Sequence, residues 1–110
     1  MAIPKFETRE VVYGTAADLP FDFYNDDDST ERDVSADTVT FTAFSDAAAG
    51  TPLFTVTATN DALTYRKIVS LTTTHTASGN VGKWYAELAR KVGGIVKEKW
   101  IGTLVIAGPR

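Results

Sequence analysis

Segments in which apolar and polar residues alternate with a period of two constrain the fold of this chain more than any other feature. The clearest is segment 38–44, where Val39, Phe41 and Ala43 alternate with three threonines. In a β-strand successive side chains point to opposite faces, so this segment has one face for a core and one for solvent. The 110 residues include sixteen Thr, ten Val and five Ile, which are the β-branched types that suit a pleated surface. The sequence therefore predicts a strand-rich fold.

Turn-forming residues separate these segments at intervals of roughly 8–16 residues, which is the spacing of an all-β sandwich or barrel. A chain of 110 residues makes one domain, so we expect a single unit over 1–110. Strands are predicted at 6–13, 19–24, 38–44, 52–59, 66–73, 95–100 and 102–107, with a turn at 46–50 and a loop at 75–82. The predicted core residues are Phe21, Phe23, Val39, Phe41, Phe54, Val56, Trp84, Leu88, Trp100, Leu104 and Ile106.

Segment 83–92 allows two interpretations. Trp84, Leu88 and Val92 recur at a spacing of four, which favours a helix that Gly93-Gly94 would end. The same residues also alternate as in a strand, and the two glycines would then form a hairpin turn into the next strand. We favour the hairpin, because every neighbouring segment is predicted as strand and a single helix would need its own packing surface.

Acidic and basic residues are concentrated in opposite halves of the chain. Residues 1–61 carry twelve carboxylates and three basic groups, whereas residues 62–110 carry eight basic groups and two carboxylates. The net charge of −3 therefore hides a net of −9 in the first half and +6 in the second. Such asymmetry indicates contact between unlike surfaces, either within one fold or between copies.

An acidic run in the first half resembles a calcium-binding loop only in part. Asp26, Asp28 and Thr30 fall at alternating positions, and Asp37 stands at the twelfth position. Such a loop needs glycine at its sixth position for a sharp turn, and Glu31 stands there. We therefore interpret the run as a solvated loop between strands and expect no bound metal.

The sequence offers no residues that make a recognisable catalytic set. There is no cysteine, and the single histidine, His75, lies in a predicted loop among threonines. A catalytic histidine needs an orienting carboxylate and a nucleophile beside it, and neither can be assigned. We expect an exposed loop histidine, no enzymatic activity and no cofactor.

Basic and aromatic residues alternate near the end of the chain, a combination that can hold single-stranded nucleic acid. The acidic pI near 5.0 opposes binding of a polyanion, and two of the aromatics stand at predicted core positions. No apolar stretch is long enough to span a bilayer. We therefore expect neither nucleic acid nor membrane as a partner. The residues of this basic and aromatic cluster are Lys83, Trp84, Tyr85, Arg90, Lys91, Lys97, Lys99 and Trp100.

Four short segments, in order, resemble the immunoglobulin-like β-sandwich domain of phage tail and baseplate proteins. They are a turn and strand at 14–23 (GTAADLPFDF), a loop and strand at 32–41 (RDVSADTVTF), a strand start at 82–87 (GKWYAE) and a final strand at 102–106 (GTLVI). The resemblance implies an all-β, antiparallel immunoglobulin-like β-sandwich of about seven strands. It also implies a non-catalytic structural or adaptor role in a phage or prophage virion, after synthesis in the host cytoplasm.

The expected partners are therefore other virion proteins and copies of the chain itself. In this hypothesis the acidic loop of one copy faces the basic hairpin of another in a head-to-tail contact, because a patch of one sign would repel itself across a two-fold axis. Outward aromatics at Tyr24, Phe44 and Tyr85 would anchor the contact. A rival interpretation has the two halves pair within one fold, and an alternative function is a stand-alone carbohydrate- or ligand-binding module. The predicted interface residues are Asp26, Asp27, Asp28, Arg90, Lys91, Lys97 and Lys99.

Overall fold

A computed structural model describes residues 7–24, 30–45 and 52–108. Their regular structure is β-strand apart from one 3₁₀ turn at Ser78–Asn80, so the fold is all-β as predicted. No helix long and apolar enough to cross a membrane occurs in these ranges. The strands are β1 (Arg9–Val12), β2 (Ala17–Asp22), β3 (Thr38–Phe44), β4 (Pro52–Thr57), β5 (Thr59–Asn60), β6 (Arg66–Leu71), β7 (Gly82–Val92) and β8 (Ile95–Ala107).

The strands form one sheet of five and one sheet of three. The larger sheet has the order β1-β8-β7-β3-β4, and the smaller has the order β2-β6-β5. Every strand pair is antiparallel except β1 with β8, which is parallel, so the predicted antiparallel arrangement is met only in part. Parallel neighbours need a long connection, and here the whole rest of the chain lies between the two strands.

The chain passes from one sheet to the other in a single extended run. The Ala58 amide still donates to the Val39 carbonyl at 2.8 Å, whereas Thr59 already pairs with Ile68 in the smaller sheet. The predicted strand 52–59 is therefore divided into β4 and β5. The buried Ala58 lies at the crossing point, where a small side chain allows the backbone to move between layers.

Residues of both sheets share one core. Phe41, on β3 of the five-stranded sheet, is fully buried, and its ring centroid lies 5.9 Å from that of Phe21 in the smaller sheet. Most predicted core positions are confirmed as buried, and the others pack against this cluster partly exposed. Buried are Phe21, Phe23, Val39, Phe41, Leu88, Leu104 and Ile106, and partly buried are Phe54, Val56, Trp84 and Trp100.

Strands β7 and β8 confirm the predicted hairpin and exclude the helix. The turn residues Gly93 and Gly94 have φ values of 59° and 82°. Positive φ at both central positions is the requirement of a type I′ turn, whose twist matches that of the flanking strands. The predicted strands at 95–100 and 102–107 are one continuous strand, β8.

A β-bulge at Lys97 sets the register of this hairpin. Unbroken pairing from the glycine turn would place Arg90 opposite Lys97, and Trp100 would then face solvent. The register shifts next to Arg90 instead, so Arg90 pairs with Glu98 and Leu88 pairs with Trp100. A shift of one residue exchanges the two faces of a strand. The extra residue Lys97 therefore returns Trp100 to the core side.

Candidate interaction surface

Three connections meet at one end of the molecule, which we call the loop end: residues 23–24 with 30–37, residues 61–65, and the hairpin tip 91–97. Hydrogen bonds join the first two connections. The Val34 amide donates to the Thr64 carbonyl at 2.9 Å, and the Phe23 amide donates to the Tyr65 carbonyl at 2.8 Å. The five-residue segment 25–29 lies outside the described residues, and it is bounded by Tyr24 and by Thr30 at this end.

An ion-pair network joins the first connection to the hairpin. Arg90 bonds Asp37 at 2.8 Å (Nη1–Oδ2) and Glu98 at 2.6 Å (Nη2–Oε1), and Arg32 bonds the same Glu98 oxygen. Desolvation lowers the pKa of Arg90, but the hydrogen bonds to Asp37 and Glu98 outweigh it and raise that pKa above its ordinary value. The network contains two positive and two negative groups, so it is neutral as a whole.

These contacts cross between the two halves of the sequence. Asp37 belongs to the acidic half and Arg90 to the basic half. Arg32 is one of the three basic residues of the acidic half, and Glu98 is one of the two carboxylates of the basic half. Part of the charge asymmetry is therefore satisfied within a single chain, as the rival interpretation expected. Because the two side chains of the Arg90–Asp37 pair are each only 14% exposed, this pair is a structural contact and not a free charge.

Lys67 is a buried charge next to the loop end, and it is not among the functional residues that the sequence predicts. Lys67 as a whole is 3% exposed, and its ammonium donates to the Asp37 carbonyl at 2.7 Å and to Asn60 Oδ1 at 2.5 Å. Burial lowers the pKa of Lys67, and the nearby Asp37 charge opposes that shift. The signal in the sequence was its alternation with Val69 and Leu71, which places all three on the inward face of β6.

The hairpin tip exposes apolar side chains, which is unusual for a turn. Val92, Ile95 and Val96 are all exposed, with Ile95 at 62%. Val92 pairs with Ile95, so these two lie on the same face as the Arg90–Glu98 pair, and Val96 lies on the other face. The missed signal was the group of apolar residues that directly flanks Gly93-Gly94.

The described part of the chain has seven exposed large apolar residues, and five of them lie at the loop end. Besides the three at the hairpin tip, these are Tyr24 and Leu63. The other two, Val12 and Val81, lie at the opposite end, where residues 12–15 and 76–82 meet. Apolar side chains are thus concentrated at one end of the molecule.

The predicted basic interface residues occupy three different environments. Arg90 is held in the ion-pair network, and Lys99 lies 3.5 Å from Glu87 across the strand pair. Within the described ranges Lys91 and Lys97 have no ion pair, and Lys97 is exposed. These two lysines flank the apolar tip. The predicted acidic interface residues Asp26, Asp27 and Asp28 lie outside the described residues.

Two of the three predicted outward aromatics differ from expectation. Tyr24 is exposed, with its ring centroid 6.3 Å from that of Tyr65. Phe44, by contrast, is buried at 9% exposure, because its ring packs 6.3 Å from that of Tyr85 on the outer face of the larger sheet. Tyr85 is correspondingly half-buried. Only Tyr24 is an exposed aromatic of the predicted kind.

His75 is half-buried and not exposed, which corrects the sequence-based expectation. Its ring centroid lies 4.6 Å from that of Phe54, and its Nδ1 accepts a hydrogen bond from the Thr72 amide at 2.9 Å. These contacts fix the 72–76 turn against β4. The described hydrogen-bond partners of the ring are the amide and the hydroxyl of Thr72.

The candidate calcium residues are separated in the described structure. Asp37 bonds Arg90 and Thr30 lies in an exposed position, whereas Asp26 and Asp28 lie outside the described residues. Among the described residues no group of three histidine or carboxylate side chains is placed to hold a metal ion.

The tryptophans of the basic cluster pack against the core and do not form a platform for nucleic-acid bases. Trp100 meets Phe23 edge-on, with a centroid distance of 5.2 Å. The Trp84 indole donates to the Asn80 carbonyl at 2.8 Å. Both rings are therefore engaged within the chain.

Comparison with known proteins gives no family for this chain. No protein-family model matches it, and no curated protein matches it.

Proposed function

We propose that this chain is a non-catalytic structural or adaptor protein with an immunoglobulin-like β-sandwich fold. The observation that carries the fold is the strand order. When β1 to β8 are lettered A, B, C, C′, D, E, F and G, the smaller sheet reads B-E-D and the larger reads G-F-C-C′, as in immunoglobulin domains. The first strand pairs with G instead of joining the B-E-D sheet.

The four sequence segments that resemble the phage family cover or lead into strands of the fold. Segment 14–23 covers a turn and β2, and segment 32–41 leads into β3. Segments 82–87 and 102–106 cover the start of β7 and the end of β8. Their order and placement support a role in a phage or prophage virion, where such domains act through protein–protein contacts.

The surface supports contact with protein more than contact with a small ligand. A carbohydrate-binding module needs exposed aromatic rings as a platform, whereas both tryptophans pack against the core. An exposed apolar cluster with charged residues around it is typical of a protein contact site. The loop end has this composition.

Quantitative mass spectrometry of phage-like particles tests the proposed role. Particles are induced from the strain that carries the gene, purified on a density gradient and digested. We expect peptides of this chain in the particle fraction at several copies per particle, together with tail or head proteins. A chain that is abundant in the lysate but absent from intact particles would contradict the proposal.

A further inference from the structure

The loop end combines exposed apolar residues with charges of both signs. Ile95 and its neighbours Val92 and Val96 form an apolar tip, and Lys97 lies beside them. Glu31 lies on the adjacent connection and is exposed. Exposed apolar area with a polar rim marks a protein contact surface.

The ion-pair network changes the geometry of the expected contact between copies. A head-to-tail contact needs the acidic and basic patches on different sides of the molecule. Arg32–Glu98 and Arg90–Asp37 hold residues 30–37, which include the exposed acids Glu31 and Asp33, beside the basic hairpin, so charges of both signs lie at the same end. A copy that presents both signs side by side can meet a second copy about a two-fold axis, with each sign facing its opposite.

We propose that the loop end is a self-association surface through which two copies of this chain meet about a two-fold axis. The Val92–Ile95 tip of one copy packs against the loop end of the other, and Lys97 faces the acidic connection around Glu31 and Asp33. A second copy is the fitting partner because the chain itself supplies complementary acids at the same end, Glu31 and Asp33, which are both exposed. This two-fold contact rests on the proposed structural role, because that role assigns protein contacts to the loop end.

Sedimentation velocity and native mass spectrometry of the full-length chain over a concentration series test the proposal. We expect a monomer–dimer equilibrium that weakens as salt is added, because rim charges are screened. Lys97→Glu should weaken dimerisation roughly tenfold, since a two-fold contact contains the changed site twice. The matched control is Lys83→Glu, which makes the same charge change at an exposed position at the other end of β7 and should leave the dimer unchanged.

A second pair of variants tests the apolar part of the surface. Ile95→Asn should weaken dimerisation at least tenfold, whereas Val12→Asn, at the other exposed end, should not affect it. Both variants should keep the thermal midpoint of the parent within a few degrees, since neither side chain is part of the core. Combining Lys97→Glu with Glu31→Lys should recover most of the affinity that the single change loses.

Each alternative result overturns the proposal. These results are a monomer at all concentrations, closed rings or filaments instead of dimers, or a dimer that is insensitive to both Lys97→Glu and Ile95→Asn. The proposed function is tested independently of this result. If the purified chain dimerises but is absent from particles, only the virion role is contradicted. Particles that contain the chain, while the purified chain stays monomeric, contradict only the two-fold contact.

Discussion

Replacement of Phe41 by alanine tests whether the register of strand β3 is right. Phe41 is fully buried in β3, with Leu88 and Val56 as its neighbours on the two adjacent strands and Phe21 facing it from the other sheet. A ring enclosed on all sides leaves a cavity that the surrounding sheets cannot fill. Truncation of such a side chain costs about 3–5 kcal/mol, from lost transfer free energy and from the cavity.

The magnitude is large compared with the stability of a small domain. Domains of this size have unfolding free energies of about 5–15 kcal/mol, so Phe41→Ala should remove more than half of the total at the lower end of that range. The midpoint of thermal unfolding should fall by roughly 12–20 °C. Urea unfolding followed by tryptophan fluorescence gives the free energy, and a scan of circular dichroism gives the midpoint.

The matched control is Thr40→Ala on the same strand. Thr40 lies on the opposite face and is only half-buried, so its loss should cost less than about 1 kcal/mol. A nearly neutral Phe41→Ala together with a costly Thr40→Ala would show that β3 is shifted by one residue. That result would refute the assignment of the core face.

Three further predictions concern the hairpin and the buried charges. Gly94→Val should lower the free energy of unfolding in urea by about 1–3 kcal/mol, because φ is +82° at this position. Gly79→Ala is the control and should be neutral, and equal effects of the two changes would contradict the type I′ turn. Arg90→Met should lower the free energy of unfolding by about 2–4 kcal/mol, because Asp37 is left partly buried without its partner. A double-mutant cycle with Asp37→Asn should show strong coupling, and additive effects would exclude the ion pair. For Lys67, burial lowers the folded-state pKa below 10.5, so the unfolded state binds more protons between those two pKa values. The stability of the parent relative to Lys67→Met should therefore rise with pH up to about 10.5, and a flat or falling difference would contradict burial of the ammonium.

Local alternation was sufficient to predict most strands and the core face. Strand β3 begins and ends at the predicted residues, and the β7–β8 hairpin follows from alternation around two glycines. These features depend on neighbouring residues only, so a sequence pattern can carry them. The hydrophobic face of each strand then places Phe41 and Leu88 in one core.

Long-range pairing could not be predicted in the same way. The parallel contact of β1 with β8 joins the two ends of the chain, and no local pattern encodes it. The bulge at Lys97 arises because a two-residue turn and an inward Trp100 are incompatible without one extra residue. Local alternation alone predicts two separate strands in this region, at 95–100 and 102–107.

The candidate surface was predicted in location but not in composition. The basic hairpin was expected to act through charge, whereas Arg90 and Lys99 have partners within the chain and the tip is apolar. Charge patterns do not reveal which ion pairs close within one fold. The aspartates at 26–28 lie outside the described residues, so their role remains a prediction.

The most direct test of the loop end as a contact surface is the amide chemical shift of each residue as the protein is diluted. Two-dimensional ¹H–¹⁵N spectra of the full-length chain are recorded from the highest soluble concentration downward. We predict concentration-dependent shifts confined to residues 30–37, 61–65 and 91–97, with Ile95 among the largest. Shifts that centre on Val12 and Val81, or no shifts at any concentration, would contradict the account.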